Sequence, residues 1–168
     1  VLAGGWQLGG MLRTSSGFPL TVTSGVDRSN TAHGYDRPNA VAGVSPELDD
    51  PSVAAWFNVA AFQMNALGTF GNLGRATLTG PGVFTIDFSA LKNFNFGSGK
   101  YIQLRIEAFN LLNTPNFADP NTNLSQSNWN AAGNNSIPTP GSGAFGTINS
   151  IRGTVPMRQM QFALKFVF

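Results

Sequence analysis

Four stretches of this 168-residue chain alternate apolar and polar residues with period two. That period sends successive side chains to opposite faces of a β-strand, so each stretch reads as a strand with unlike faces. The clearest lies at the end of the sequence. There Met160, Phe162, Leu164, Phe166 and Phe168 share one parity, and Gln159, Gln161, Ala163, Lys165 and Val167 the other. In a second, Ile102, Leu104, Ile106 and Ala108 oppose Gln103, Arg105 and Glu107. In a third, Phe84, Ile86, Phe88 and Ala90 oppose Thr85, Asp87 and Ser89. The weakest sets Trp6, Leu8, Gly10 and Leu12 against Gln7, Gly9, Met11 and Arg13. Strands are expected near residues 4–14, 83–96, 101–112 and 157–168.

These runs exceed the usual ~5–6 residues of soluble strands and match the ~9–11 that cross a bilayer at a tilt. Their connections are unequal. Residues 97–100 (Gly-Ser-Gly-Lys) make a tight turn, whereas residues 15–82 and 113–156 form two very long, Asn/Gly/Pro/Ser-rich loops. Short turns on one side and long loops on the other mark an outer-membrane barrel. The expected fold is therefore all-β: a segment of an antiparallel transmembrane β-barrel with a periplasmic turn and two extracellular loops. One orientation satisfies all four strands when the carboxyl terminus is placed on the periplasmic side. Trp6, Phe94, Phe96, Tyr101, Phe166 and Phe168 then gather near that side as an interfacial girdle.

Charge placement agrees with this expectation. Arg13, Asp87, Gln103, Arg105, Glu107, Gln161 and Lys165 have polar-face parity and would line a water-filled lumen. A lipid-facing Lys or Arg at the midplane would cost ~2–4 kcal/mol. Lys92 and Arg158 have apolar-face parity, but both lie toward strand ends, where their stems are expected to snorkel to the interface. Arg105 and Glu107 are expected to pair with groups on neighbouring strands and hold the wall.

Composition excludes several alternatives. Charged residues make up 11% of the chain, against ~25% in an ordinary soluble domain. The longest apolar run, residues 53–62, is too short for a membrane helix, which needs ~18 residues. Absence of cysteine removes disulfides and thiolate chemistry. No Lys/Arg cluster marks a nucleic-acid surface. Gly141-Ser142-Gly143-Ala144-Phe145-Gly146 matches a dinucleotide fingerprint in letters only, because no strand precedes it and no helix follows. His33, the sole histidine, reads as a solvated loop residue, and Glu47, Asp49 and Asp50 match no calcium-loop spacing. No catalytic residue, metal site or cofactor is expected. Asp50-Pro51-Ser52 resembles a helix start that would carry Trp56-Phe57. Trp56 and Trp129 are the loop aromatics with a ligand-stacking reading, and packing is the competing one.

Four strands cannot close, since bacterial membrane barrels begin at ~8. The chain is thus expected to be part of a larger barrel, and Val1 to begin a piece of a longer protein. Several stretches point to a family. They are Gly5-Trp6-Gln7-Leu8-Gly9-Gly10, Ser16-Gly17-Phe18-Pro19-Leu20-Thr21-Val22, Asp36-Arg37-Pro38-Asn39 and Trp56-Phe57-Asn58 with Ala61-Phe62. Gly68-Thr69-Phe70-Gly71-Asn72-Leu73-Gly74-Arg75 and Ile86-Asp87-Phe88-Ser89 with Lys92-Asn93-Phe94 continue the series. Arg105-Ile106-Glu107-Ala108-Phe109-Asn110-Leu111-Leu112-Asn113, Pro115-Asn116-Phe117 and the ending from Arg158 to Phe168 complete it. In these the chain resembles the carboxyl-terminal part of TonB-dependent outer-membrane receptors of the Oar-like, acidobacterial type. The resemblance implies the last four strands of a barrel of about 22, a plug upstream, energised uptake of a solute and the TonB complex as partner. It also implies that Phe162, Leu164, Phe166 and Phe168 form the signal read by the barrel-assembly machinery. Two other readings compete. One is a secreted or surface β-sandwich module that binds glycans through aromatics. The other is an Oar-like protein of surface organisation or adhesion.

Overall fold

A computed structural model describes residues 4–32, 35–127 and 143–168. Among these the strands are β1 (Trp6–Ser15), β2 (Pro19–Leu20), β3 (Asn39–Ala40), β4 (Phe62–Gln63), β5 (Leu78–Thr79), β6 (Val83–Asn95), β7 (Tyr101–Phe109) and β8 (Gln159–Val167). Among the described residues no helix is long and apolar enough to cross a membrane. The chain divides into two compact units.

The first unit holds residues 1–16, 82–116 and 151–168 and is built on one antiparallel sheet, β1-β6-β7-β8. Its register unites the four sequence patterns. Leu8 opposes Ala90, Ala90 opposes Ile106, and Ile106 opposes Phe162. One face is therefore apolar from β1 to β8, and it is largely exposed: Leu8, Leu12, Phe162, Leu164 and Phe166 are all open. A one-residue slip in any pairing would move that strand's apolar set to the other face, so the pattern itself fixes the register.

Strand ends follow backbone chemistry. Gly5 has φ +78°, which stops β1 from extending back to residue 4. β6 and β7 are joined through Gly97 (φ 87°), Ser98 (φ 51°) and Gly99 (φ 78°), a left-handed run that glycine adopts at no steric cost. The turn is closed by Phe96 N–H to the Lys100 carbonyl (2.9 Å) and Lys100 N–H to the Gly97 carbonyl (3.0 Å). β7 ends at Phe109, short of residue 112, because Asn110 takes φ 50° and leaves the ladder. β8 starts at Gln159 because the Arg158 N–H turns aside to the Asn113 side chain (3.0 Å).

The second unit gathers residues 17–81 and 117–150. Sequence analysis reads these as two loops; the structure folds them around a shared core. Phe57, Phe62 and Phe145 meet edge to face, with centroids 5.1 to 5.8 Å apart. Val22, Met64, Leu73 and Leu124 complete that core. Regular pairing here is minimal: β2 with β5 and β3 with β4, two residues each. Asparagines and glycines do the rest. Asn39 Oδ1 accepts from Asn72 N–H (3.0 Å), and Asn72 Oδ1 accepts from Ala40 N–H (2.8 Å). Gly71 is pressed so close to Arg37 and Pro38 that a Cβ there would lie 2.0 Å from the Arg37 carbonyl oxygen. Asp36-Arg37-Pro38-Asn39 and the 68–75 stretch are thus interlocked. The helix expected before Trp56 is absent. Ser52 and Ala55 instead close a turn by reciprocal backbone bonds, since only a few residues separate Pro51 from the core residue Phe57.

Candidate functional site: the polar face of the sheet

The seven polar residues singled out in the sequence share one face. Met11 opposes Asp87, Arg13 opposes Thr85, Glu107 opposes Gln161, and Gln103 opposes Lys165. The structure gathers them unequally. Arg13, Asp87 and Gln161 line a hollow of about 350 Å³ near the strand ends away from the tight turn. Gln159, Thr85, Asn110, Met11 and Phe109 share that lining. The hollow takes residues from β1, β6, β7 and β8 and from the segment Thr154–Pro156 before β8. Asp87 and Glu107 reach a second hollow of about 270 Å³ beside Gly9 and Ser89. Gln103, Arg105 and Lys165 lie outside both. Gln103 Nε2 donates to Asn93 Oδ1 across the β6–β7 pair (3.0 Å). Arg105 and Glu107 do not reach neighbouring strands as expected; they pair with each other, two residues apart on the same face of β7.

Three asparagines hold the backbone at this end of the sheet, Asn110 among them lining the hollow, and sequence reasoning gave none of them a role. Buried Asn116 accepts from Phe84 N–H through Oδ1 (2.8 Å) and donates from Nδ2 to the Phe84 carbonyl (3.1 Å). It thus pairs with β6 as a strand would. Buried Asn110 donates its N–H to Asp87 Oδ1 (2.8 Å) and its amide to the Thr114 (2.9 Å) and Pro156 (3.2 Å) carbonyls. Asn113 holds the start of β8. The available signal was the spacing Asn110, Asn113, Asn116 straight after an alternating strand, where short amides compete for backbone groups.

The apolar face holds one surprise. Lys92 does not extend its stem outward. It is 2% exposed, and its ammonium donates to the Gly4 carbonyl oxygen. The ring centroids of Trp6 and Phe94 lie 5.3 and 5.5 Å away. Cation–π attraction and the carbonyl bond replace water around the charge. Arg158 is exposed before β8. Phe94 is flanked by Ile102, which pairs with Phe166, so the aromatics collect beside the tight turn. Phe162, Leu164 and Phe166 project from the apolar face of β8, and Phe168 beyond it is 98% exposed.

In the second unit Trp56 is half-buried against the core, and its indole N–H donates to the Thr79 carbonyl (2.9 Å). Packing accounts for this placement. Trp129 and His33 lie outside the described residues, as do Gly141 and Ser142. Phe145 serves the core, and Gly146 (φ 83°) turns the chain beside it. Asp27 caps a tight loop. Its carboxylate accepts from the backbone N–H groups of Ala32 (2.8 Å) and Thr31 (3.3 Å) and from the Ser29 hydroxyl (3.1 Å). The Ala32 bond is the main cause that holds its pKa below the ordinary 3.8; slight desolvation works the other way.

Alternation, register and an exposed apolar face together describe a membrane wall. A family model described as outer membrane beta barrel domain matches residues 1–161. The chain belongs to that family. No curated protein and no solved structure matches it. The barrel domain places the protein in the bacterial outer membrane, with the apolar face in lipid. Its sheet is open among the described residues, with β1 and β8 as edges. No second long-stranded sheet is present among them, which is what a β-sandwich would require.

Proposed function

We propose that this sheet is a wall sector of a TonB-dependent receptor of the Oar-like type, which takes up a solute through a larger closed barrel. The observation that carries the wall role is the sheet itself: one continuous apolar face, one polar face and two open edges among the described residues. Open edges in lipid leave backbone groups unsatisfied at several kcal/mol each, so further strands must complete the ring. The receptor type is supported by the sequence stretches named above, several of which interlock or frame the hollow.

In this reading the turn at residues 97–100 is periplasmic and the loops at residues 15–82 and 113–156 are extracellular. The TonB complex acts through a plug carried elsewhere in the protein. Phe162, Leu164, Phe166 and Phe168 are read by the barrel-assembly machinery. The chain performs no bond chemistry and needs no cofactor. The reading is tested by the coding frame upstream of Val1. A frame that continues into many more alternating strands and a plug supports it. A start codon directly before Val1 with no such frame overturns it.

A further inference from the structure

The polar face carries two pairs of opposite charge, and they behave differently. Arg105 and Glu107 satisfy each other. Arg13 and Asp87 line one hollow yet form no ion pair among the described residues. Asp87 offers one carboxylate oxygen to the Asn110 N–H, which orients it and leaves Oδ2 for a second donor. Arg13 is exposed, with its guanidinium available for a two-point bond to a carboxylate. Met11 and Phe109 bring apolar surface to the same hollow. We propose that this hollow is a binding subsite for a zwitterionic α-amino acid or short peptide with an apolar side chain. The solute's carboxylate meets Arg13, its ammonium meets Asp87, and its side chain rests against Phe109 and Met11.

Size agrees with this. At ~30 Å³ per water, 350 Å³ holds about a dozen non-hydrogen atoms, the size of a large amino acid or a small dipeptide. Charge balance argues the same way: one cation and one anion lining the same hollow suit a dipolar solute and disfavour one with net charge. The inference rests on the uptake reading, because it gives that reading a solute class.

The test is calorimetry on the intact protein in detergent, with L-phenylalanine as probe beside N-acetylphenylalanine, phenylalanine amide and maltose. The expected result is binding of L-phenylalanine that weakens about tenfold or more when either charge is blocked. Arg13→Gln should erase the penalty for the amide but keep that for the acetyl compound, and Arg13→Lys should restore part of it. No binding of L-phenylalanine, equal binding of all three compounds, or binding of maltose alone would overturn the proposal. Binding with the expected pattern, but without TonB-dependent uptake of L-phenylalanine by cells, would sink the transport reading and leave the subsite standing.

Discussion

Asn116 shows how much a single amide does in this chain. It supplies both a donor and an acceptor to Phe84, where a strand neighbour would otherwise be needed. Asn116→Ala should remove both bonds from a part-buried setting and cost about 0.5–1.5 kcal/mol each. Asn116→Asp keeps the acceptor but turns a carboxylate oxygen toward the Phe84 and Thr114 carbonyls at a buried position, so it should cost more. Denaturant unfolding in detergent ranks the two variants. Asn110 differs because it also holds φ 50°. Asn110→Gly keeps that conformation and isolates the loss of the amide bonds, whereas Asn110→Ala adds strain of ~1–2 kcal/mol. Asp27 carries a pH dependence. Its folded pKa lies below 3.8, so its stabilising effect is complete above that value and is lost as pH falls through the folded pKa. Protection factors at Thr31 and Ala32, taken relative to intrinsic exchange at each pH, should fall in acid, and Asp27→Asn should show a smaller fall. None of these asparagine roles was legible in the sequence. Alternation reports side-chain faces, whereas an amide that bonds a backbone 32 to 46 residues away leaves no periodic trace.

At the scale of elements, the long strands were legible, and β6 and β7 start at Val83 and Tyr101 as read, but the start of β1, the end of β7 and the start of β8 were not. Period two survives in sequence because every second residue meets a different solvent. The ends are set by single left-handed residues, Gly5 and Asn110, and by a side-chain bond at Arg158. The tight turn is the element most open to a direct test. Gly97 and Gly99 have open space around them, so alanine there meets no clash and only the positive φ opposes it. Gly99→Ala should cost ~1–2 kcal/mol and slow assembly of the β6–β7 hairpin without altering the finished register. A pulse-chase assay of heat-modifiable barrel formation checks this. The second unit escaped sequence reading for a related reason. Its core draws on Phe57, Phe62 and Phe145, which follow no helical or strand period and come from two distant stretches. Phe145→Ala should open a cavity costing about 3–5 kcal/mol. The loss should appear as increased protease cleavage within residues 17–81 while the four-stranded sheet persists.

The whole molecule is defined by which solvent each face meets. Family membership places the chain in the outer membrane, and the register supplies one apolar face and one polar face from β1 to β8. Lys92 tests the rule at its weakest point: a cation of apolar parity sits there with the Gly4 carbonyl and the rings of Trp6 and Phe94 around it. Assembly of a barrel wall depends on that division of faces, since a lumen cannot form where the polar side is not shared by all strands. The most direct measurement is cysteine substitution along β8, from Met160 to Lys165, in native outer membranes, with labelling by a membrane-impermeant maleimide. Met160, Phe162 and Leu164 should stay unlabelled, and Gln161, Ala163 and Lys165 should react. Uniform labelling, or the inverse alternation, would contradict a lipid-facing apolar wall.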